Sequence, residues 1–562
     1  MPETKRKLRS QEWWSGPEYY NFARRAWLRA EGFARDNFQG KPVVGICNSW
    51  SELNNCNAHL RTVAEAVKRG VWAAGGFPLE FPTISLGEMF MRPTAMLFRN
   101  LMAMDVEESI RANPIDGVVL LCGCDKTTPA QLMGCASADI PAIVVPGGPM
   151  LSGQWKDQKL GSGTDGRKLF DLYRTGKLND EELCEIEGGL SRSAGHCTVM
   201  GTASTMTSLA EALGMTLTGS ANIPAPDSRR LTTAEMSGRR IVDMVWEDMR
   251  PSQIMTRKAI ENAITVNMAI GGSTNAVVHL LALAGRLRID LKLAEFDEIS
   301  RRTPCIVNVK PSGEYLMEDL FQAGGIPAVM KEILPLLHDV MTVTGQTVSA
   351  NVVKAECYRR EVIRSADDPI HKEGGTVVLH GNLAPNGAVF KQTAASPHLL
   401  KHRGPAYVFE TYAEMHANID RDDLPVTADT VLVMKNAGPK GGPGFPEWGQ
   451  IPMPKVLLNQ GVKDMVRVSD ARMSGTSFGT VVLHVAPESA VGGPLAIVQT
   501  GDMIELDVEA RKIELCISDE EIRNRLAGFV PPAPKYQRGY GRMFLDHVTQ
   551  ADEGCDFDFL RA

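Results

Sequence analysis

A chain of 562 residues exceeds what one hydrophobic core can organise, so two large domains or more are expected. Its composition, 43% hydrophobic and 23% charged, is that of an ordinary soluble globular protein, and a formal net charge of −7 gives no reason to expect nucleic acid or an anionic membrane as a partner. No apolar run approaches the roughly 20 residues that span a bilayer, the start Met1 to Ser10 lacks the apolar stretch of a secretory signal, and eleven cysteines without a spacing framework fit reduced thiols in the cytoplasm.

The first two thirds alternate strand-like and helical patterns. Val43 to Ile46 reads as a buried strand, followed by a polar loop and a helix from about His59 to Arg69. Val118 to Leu121 reads as the next strand, leading into Cys124-Asp125-Lys126-Thr127-Thr128-Pro129 and a helix from about Pro129. Ala142 to Val145 runs into the turn-rich Pro146-Gly147-Gly148-Pro149. Thr205 to Leu213 and Ala276 to Ala284 read as helices, each preceded by small polar residues able to cap it. The alternation predicts a doubly wound α/β domain over residues 1–375.

From about Gly375 the character changes. Thr376 to His380, Ala406 to Phe409, Val431 to Met434, Val466 to Val468 and Thr480 to Val485 are short β-branched runs between Gly/Pro turns. Ile504 to Val508 and Lys512 to Ile517 read as a hairpin around Glu509-Ala510-Arg511. A closed or nearly closed β-rich, barrel-like domain over 376–562 is predicted, with the boundary in the polar stretch Ser365 to Gly375.

The loop after Val118 to Leu121 holds a soft thiol, a hard carboxylate and an ammonium in consecutive positions. Each must be solvated, paired or bound to metal. Cysteine suits iron–sulfur iron or zinc, whereas aspartate suits magnesium or manganese, so one loop hints at two metals. Cys56 and Cys197 also stand in polar loops that precede helices, where backbone N–H groups and the positive helix end favour a thiolate. Read singly, each could be a buried packing thiol, and no C-x-x-C pair supplies a zinc or ferredoxin spacing. Glu88 and Glu447 are further candidates for a hard metal, Glu447 because it follows the constrained Lys440-Gly441-Gly442-Pro443-Gly444. Ser474, beside Gly475, could be presented on a tight turn near backbone donors, although serine is also a common turn former. Gly271-Gly272-Ser273-Thr274-Asn275 could bind an anion or simply cap a helix.

Two segments carry a resemblance. Cys124-Asp125-Lys126-Thr127-Thr128-Pro129-Ala130 with Gly134 resembles the first signature of the dihydroxy-acid dehydratase and 6-phosphogluconate dehydratase family, and Ser469-Asp470-Ala471-Arg472-Met473-Ser474-Gly475 resembles its second. Pro42 to Cys56, Gly195 to Thr205, Gly271 to Asn275, Gly381 to Pro385 and Gly438 to Gly444 are similar to family segments in the expected order. The resemblance implies an iron–sulfur cluster, a divalent metal, and dehydration of a 2,3-dihydroxy acid to a 2-keto-3-deoxy acid. It also implies that Cys56, Cys124 and Cys197 hold the cluster, that Glu88, Asp125, Glu447 and a carbamylated Lys126 hold magnesium, and that Ser474 abstracts the proton. Thr476 becomes a candidate substrate contact, and Cys122 and Cys135 are read as packing residues.

Ser469, Ala471 and Thr476 depart from the usual second signature. With Asn436-Ala437-Gly438 they look more like the sugar-acid (pentonate and related aldonate) dehydratases, which favours a 2Fe–2S cluster. The expectation is a cytoplasmic homodimer or homotetramer acting on a small sugar acid. The alternative within the family is dihydroxy-acid dehydratase, whose substrates end in apolar groups rather than hydroxyls. A nucleic-acid-binding iron–sulfur sensor is disfavoured by the acidic balance, and a magnesium-only hydrolase leaves the three loop cysteines unexplained.

Overall fold

The computed structural model describes residues 6–561. Four apolar runs make one parallel sheet: β1 (Val43–Asn48), β2 (Phe77–Pro82), β3 (Gly117–Cys122) and β4 (Ala142–Pro146). The spatial order is β2-β1-β3-β4, so the direction of progression reverses between β1 and β3. Right-handed crossovers then put helices on both faces. Leu60–Ala73 packs against Ser228–Glu247, and Arg99–Ala112 packs against Thr127–Ala138. β1, β3 and β4 are buried along their whole length, as a parallel sheet covered twice requires. The N-terminal part is therefore the doubly wound α/β unit expected from sequence.

Sequence analysis does not identify β2, whose Pro78 and Pro82 read as breakers. Proline is tolerated there because β2 lies at the sheet edge. A small hairpin, β5 (Gly153–Trp155) with β6 (Gln158–Leu160), follows the sheet.

Eight further strands close into a barrel: β7 (Val377–Gly381), β8 (Ala384–Phe390), β9 (Lys401–Phe409), β10 (Val431–Met434), β11 (Arg467–Ser469), β12 (Val481–Ala486), β13 (Met503–Asp507) and β14 (Lys512–Leu515). Around the barrel they run β10-β11-β12-β8-β7-β14-β13-β9 and back to β10. β9 to β12 are parallel neighbours, and the hairpin β13–β14 turns where expected, through Arg511 at φ 57°. β8 also escapes the sequence reading, because Pro385, Asn386 and Gly387 look like a turn. The barrel accommodates them where the register with β12 shifts between Leu483 and Ala486. Val377, Leu379, Phe390, Val433, Val468, Val482, Leu506 and Ile513 fill its interior, a core separate from that of the α/β unit.

The C-terminal segment returns to the α/β unit. Arg286 and Asp556, both fully buried, form a salt bridge at 2.6 Å, and Arg99 donates to the carbonyls of Gly554 and Cys555. Among the described residues no helix is long and apolar enough to cross a membrane.

Breaking a buried pair costs more than the pair contributes, because it strands a charge. Asp556→Ala leaves Arg286 with Glu107 at 3.4 Å as its remaining ion-pair partner. The expected loss is about 3 kcal/mol of stability, seen as an earlier denaturation midpoint. Replacing the pair together, Arg286→Met with Asp556→Leu, should recover most of it.

Candidate active site between the two units

Open α/β sheets place ligands beyond the carboxyl ends of their strands, where the strand order reverses. Here that point lies between β1 and β3. The loop leaving β1 carries Cys56 and the loop leaving β3 carries Cys124. Cys197 arrives by a third route: its segment runs alongside the loop after β4, with His196 N–H donating to the Gly148 carbonyl at 3.0 Å and Gly195 N–H to that of Asn55 at 3.2 Å.

The three cysteines of the sequence reading are thus neighbours. The Cys56 and Cys124 thiols interact side chain to side chain, and this contact, then burial, then the charges of Cys124, Cys197 and Asp125 hold Cys56 well above the usual thiol range. Burial first, then Asp125, pushes Cys197 up to about 12. Three neighbouring thiols can ionise together only beside a strong positive centre. Such a donor set fits a soft metal cluster, and all three are free of disulfides. Cys122 and Cys135 turn away into the core, where both are fully buried and interact with each other.

One residue beyond Cys124, the chemistry changes from sulfur to oxygen. Lys126 is fully buried, and its Nζ lies 3.3 Å from Glu88, 3.5 Å from Asp125 and 3.6 Å from Glu447. Burial would lower its pKa, but Glu88, Asp125 and Glu447 outweigh that and the repulsion of Arg472, so the amine stays charged above its ordinary value. Burial likewise works to raise Glu88, yet Lys126, Arg472 and the Thr94 hydroxyl hold it below the carboxylate range. Glu447 moves the other way, raised by burial and by Glu88. Glu88 Oε2 is buried and makes no regular hydrogen bond; its nearest cation is the Lys126 ammonium at 3.3 Å. Among the described residues no three His, Cys, Asp or Glu side chains close on one point at metal-ligand spacing, and among the three carboxylates the Lys126 ammonium is the shared neighbour. The oxygens nevertheless suit a hard divalent ion.

Several partners of this constellation carry no signal of their own in the sequence reading. Arg472, fully buried, donates to Glu447 at 3.1 Å, to the Phe445 carbonyl at 2.6 Å and to Thr94 Oγ1 at 3.3 Å, while Thr94 donates to Glu88 at 2.8 Å. Asn275 donates to Glu447 at 3.3 Å and to the Met473 carbonyl at 3.1 Å. Ala203 N–H, in the first turn of the helix Thr202–Ala212, donates to Asp125 at 3.0 Å. Arg472 lies inside the second signature and Asn275 inside the Gly271 segment, so both were visible as residues though not as roles.

Ser474 comes from the barrel and enters the same cleft. Thr164 donates to the Thr476 carbonyl at 2.7 Å, and Gly475 approaches so closely that a Cβ there would lie 2.5 Å from the Thr202 amide nitrogen. The Ser474 and Thr476 hydroxyls are hydrogen-bonded at 3.0 Å, with Ser474 half-buried and Thr476 buried. The barrel turn therefore seats on the α/β unit at the helix that shields Asp125.

Comparison with known proteins gives the family. The dihydroxy-acid/6-phosphogluconate dehydratase N-terminal family matches residues 41–351 and the corresponding C-terminal family matches residues 361–555. The chain is 54% identical to the L-arabinonate dehydratase of Rhizobium leguminosarum bv. trifolii, over 100% of its own length and 97% of the relative's. It is 51% identical to the 6-deoxy-6-sulfo-D-gluconate dehydratase of Pseudomonas putida, over 99% and 97%. The dihydroxy-acid dehydratase of Ignicoccus hospitalis is more distant, at 41% over 97% and 98%. The chain belongs to the dihydroxy-acid/6-phosphogluconate dehydratase family, as a hydro-lyase of its sugar-acid branch.

Proposed function

We propose that the protein dehydrates an aldonate of pentonate size to its 2-keto-3-deoxy acid, as a cytoplasmic homodimer or homotetramer. One observation carries the reading: three thiols, three carboxylates around a buried lysine, and a barrel serine meet in one cleft. The pentonate assignment is supported by the L-arabinonate dehydratase relative. Free thiols throughout suit a reducing compartment. Tyr19, Tyr20, Phe22 and Trp27, exposed on the helix Tyr19–Ala30, supply apolar area for self-association.

On this reading Cys56, Cys124 and Cys197 hold a 2Fe–2S cluster, and Glu88, Asp125, Glu447 and carbamylated Lys126 hold magnesium. When bound, the two centres supply Lewis acidity at the departing C3 hydroxyl and at the C1 carboxylate and C2 oxygen, where negative charge develops. Carbamylation would turn the Lys126 amine, a donor only, into an oxygen ligand. Arg472 and Asn275 orient Glu447, and the Ala203 amide orients Asp125.

Ser474 is the proposed base. It takes the proton from C2 as the C3 hydroxyl leaves, returns that proton to the departing hydroxide so that water is released and the base is restored, and the enol so formed tautomerises to the 2-keto acid. A free serine is far too weak an acid to supply an alkoxide at neutral pH. The Thr476 hydroxyl can donate to Ser474 Oγ and stabilise the ionised form. The Asn275 contact to the Met473 carbonyl fixes the turn that aims it.

A panel of L-arabinonate, D-xylonate, D-gluconate and 2,3-dihydroxyisovalerate, assayed for keto-acid product, tests the proposal. An aldonate should give the highest kcat/KM. A preference for dihydroxyisovalerate would install the branched-chain alternative.

Cys124→Ser should lose the visible absorption of the cluster and all turnover, whereas Cys122→Ser should keep both. Glu447→Gln should retain iron and sulfide but lose magnesium binding and at least about 100-fold in kcat, the scale for removing one strong electrostatic contact.

Ser474→Ala should keep iron, magnesium and substrate binding, because no proposed metal contact uses its hydroxyl. Exchange of a C2 deuterium with solvent should fall below detection together with turnover. Near-normal turnover would reduce Ser474 to a turn former.

A further inference from the structure

The loop that delivers Glu447 is held by a carboxyl group with no part in the proposed chemistry. Glu488 follows β12 and is almost fully buried. Its Oε1 and Oε2 each accept from the Lys440 amide at 3.0 Å, and Oε2 accepts from the Gly441 amide at 2.8 Å. Gly438 makes room for it: a Cβ at that position would lie 2.6 Å from Glu488 Cβ and 2.7 Å from Oε2. This is one physical reason for the density of glycine in Gly438 to Gly444. The loop needs a carboxylate where a side chain of its own would stand.

Two neighbouring contacts complete the anchorage. Ala437 N–H donates to Asp470 Oδ1 at 3.0 Å, and Asn436 N–H donates to Ser489 Oγ at 2.6 Å. Past the anchored part the loop closes through Phe445 N–H to the Gly442 carbonyl at 2.7 Å, and Arg472 then grips both the Phe445 carbonyl and Glu447.

Glu488 is tied on its other side to the C-terminal segment by a reciprocal pair. Gln550 Nε2 donates to Glu488 Oε1 at 2.8 Å, and Glu488 N–H donates to Gln550 Oε1 at 2.9 Å. The same segment is bolted to the α/β unit by Asp556 on Arg286 and by the Gly554 and Cys555 carbonyls on Arg99. A continuous chain of hydrogen bonds thus runs from the α/β helices through Gln550 and Glu488 to the backbone that carries Glu447.

We propose that Glu488 is a positioning residue which, through Gln550, fixes the Glu447 loop at the height set by the α/β unit that carries Glu88 and Asp125. The inference rests on the reading of Glu447 as a magnesium ligand. Burial, then the adjacent Asp470, pushes Glu488 up to about 7, so its interior position is costly, and space alone would be filled more cheaply by an apolar side chain. Its loss leaves the Lys440 and Gly441 amides without their acceptor. The effect should be local to the loop and should spare the cysteines, which sit on other segments.

The test has two readouts on Glu488→Ala and Gln550→Ala. In metal-free protein, hydrogen exchange over residues 436–449 should accelerate about 10-fold or more in Glu488→Ala, as the loss of one or two hydrogen bonds implies, and less in Gln550→Ala. Exchange over 52–60 and 122–128 should stay at the wild-type rate. Calorimetric titration with magnesium alone should show affinity weakened about 10-fold in Glu488→Ala, with Glu447→Gln as the reference for complete loss. The double variant should lose little more than Glu488→Ala, because both act through one linkage.

Unchanged loop exchange in Glu488→Ala overturns the proposal. So does unchanged magnesium affinity alongside a loss in Glu447→Gln. If Glu447→Gln binds magnesium like wild type, the metal assignment fails instead, and loop exchange alone decides whether Glu488 sets the loop. Should Glu488→Ala fail to fold, Glu488→Gln keeps the volume and one acceptor oxygen and carries the same test.

Discussion

The structure is organised around one buried lysine, an ammonium in the unmodified chain. Lys126 lies within 3.6 Å of three carboxylates, that of its chain neighbour Asp125 and those of Glu88 and Glu447 from two distant segments. Such groups are expensive to bury and tolerable only as a set. Remove the lysine and three carboxylates repel; remove the carboxylates and an ammonium is stranded. Arg472 joins the balance from the barrel side together with Glu447, so seating the barrel adds one charge of each sign and gives each a partner. Lys126 thus links the units, paired with Glu88 and Asp125 on its own side and with Glu447 across from it.

The seating is achieved with backbone as much as with side chains. Gly475 permits the serine turn to reach the Thr202 amide, and Thr164 and Asn275 donate to the Thr476 and Met473 carbonyls of the turn. Because the α/β unit holds the turn by its carbonyls, the hydroxyls of Ser474 and Thr476 stay free to face each other. A turn held instead through its side chains would spend the group that the reaction needs.

Much of this was legible in the sequence. The strands leaving Cys56 and Cys124 in loops, the hairpin near Arg511 and most barrel strands follow from apolar runs and turn residues. β2 and β8 did not, because Pro78, Pro385 and Gly387 obey an edge position and a register shift that only the assembled sheet reveals. The site divides similarly. Cys124, Asp125 and Lys126 announce themselves as three incompatible side chains in a row. Thr94, Asn275 and Glu488 are single polar residues whose partners lie far away in sequence, so no local pattern could mark them. Family resemblance supplied what spacing alone left open, above all that three scattered cysteines belong together.

The adjacency of Cys124 and Asp125 has a further consequence for selectivity. Thr127 Oγ1 accepts from the Cys124 amide at 2.9 Å and donates to the Cys124 carbonyl at 3.1 Å, tightening the turn that opens the helix Thr127–Ala138. Asp125 is pinned independently by the Ala203 amide. On the proposed reading, the separation of soft and hard centres is therefore set by one peptide unit and two helix starts, not by mobile side chains. A rigid separation of that kind suits the reacting part of the proposed substrate, the carboxylate and the two hydroxyl-bearing carbons. It cannot discriminate the tail. Choice among sugar acids must then come from groups outside this constellation, so relatives that act on an arabinonate and on a sulfogluconate can share the same central arrangement.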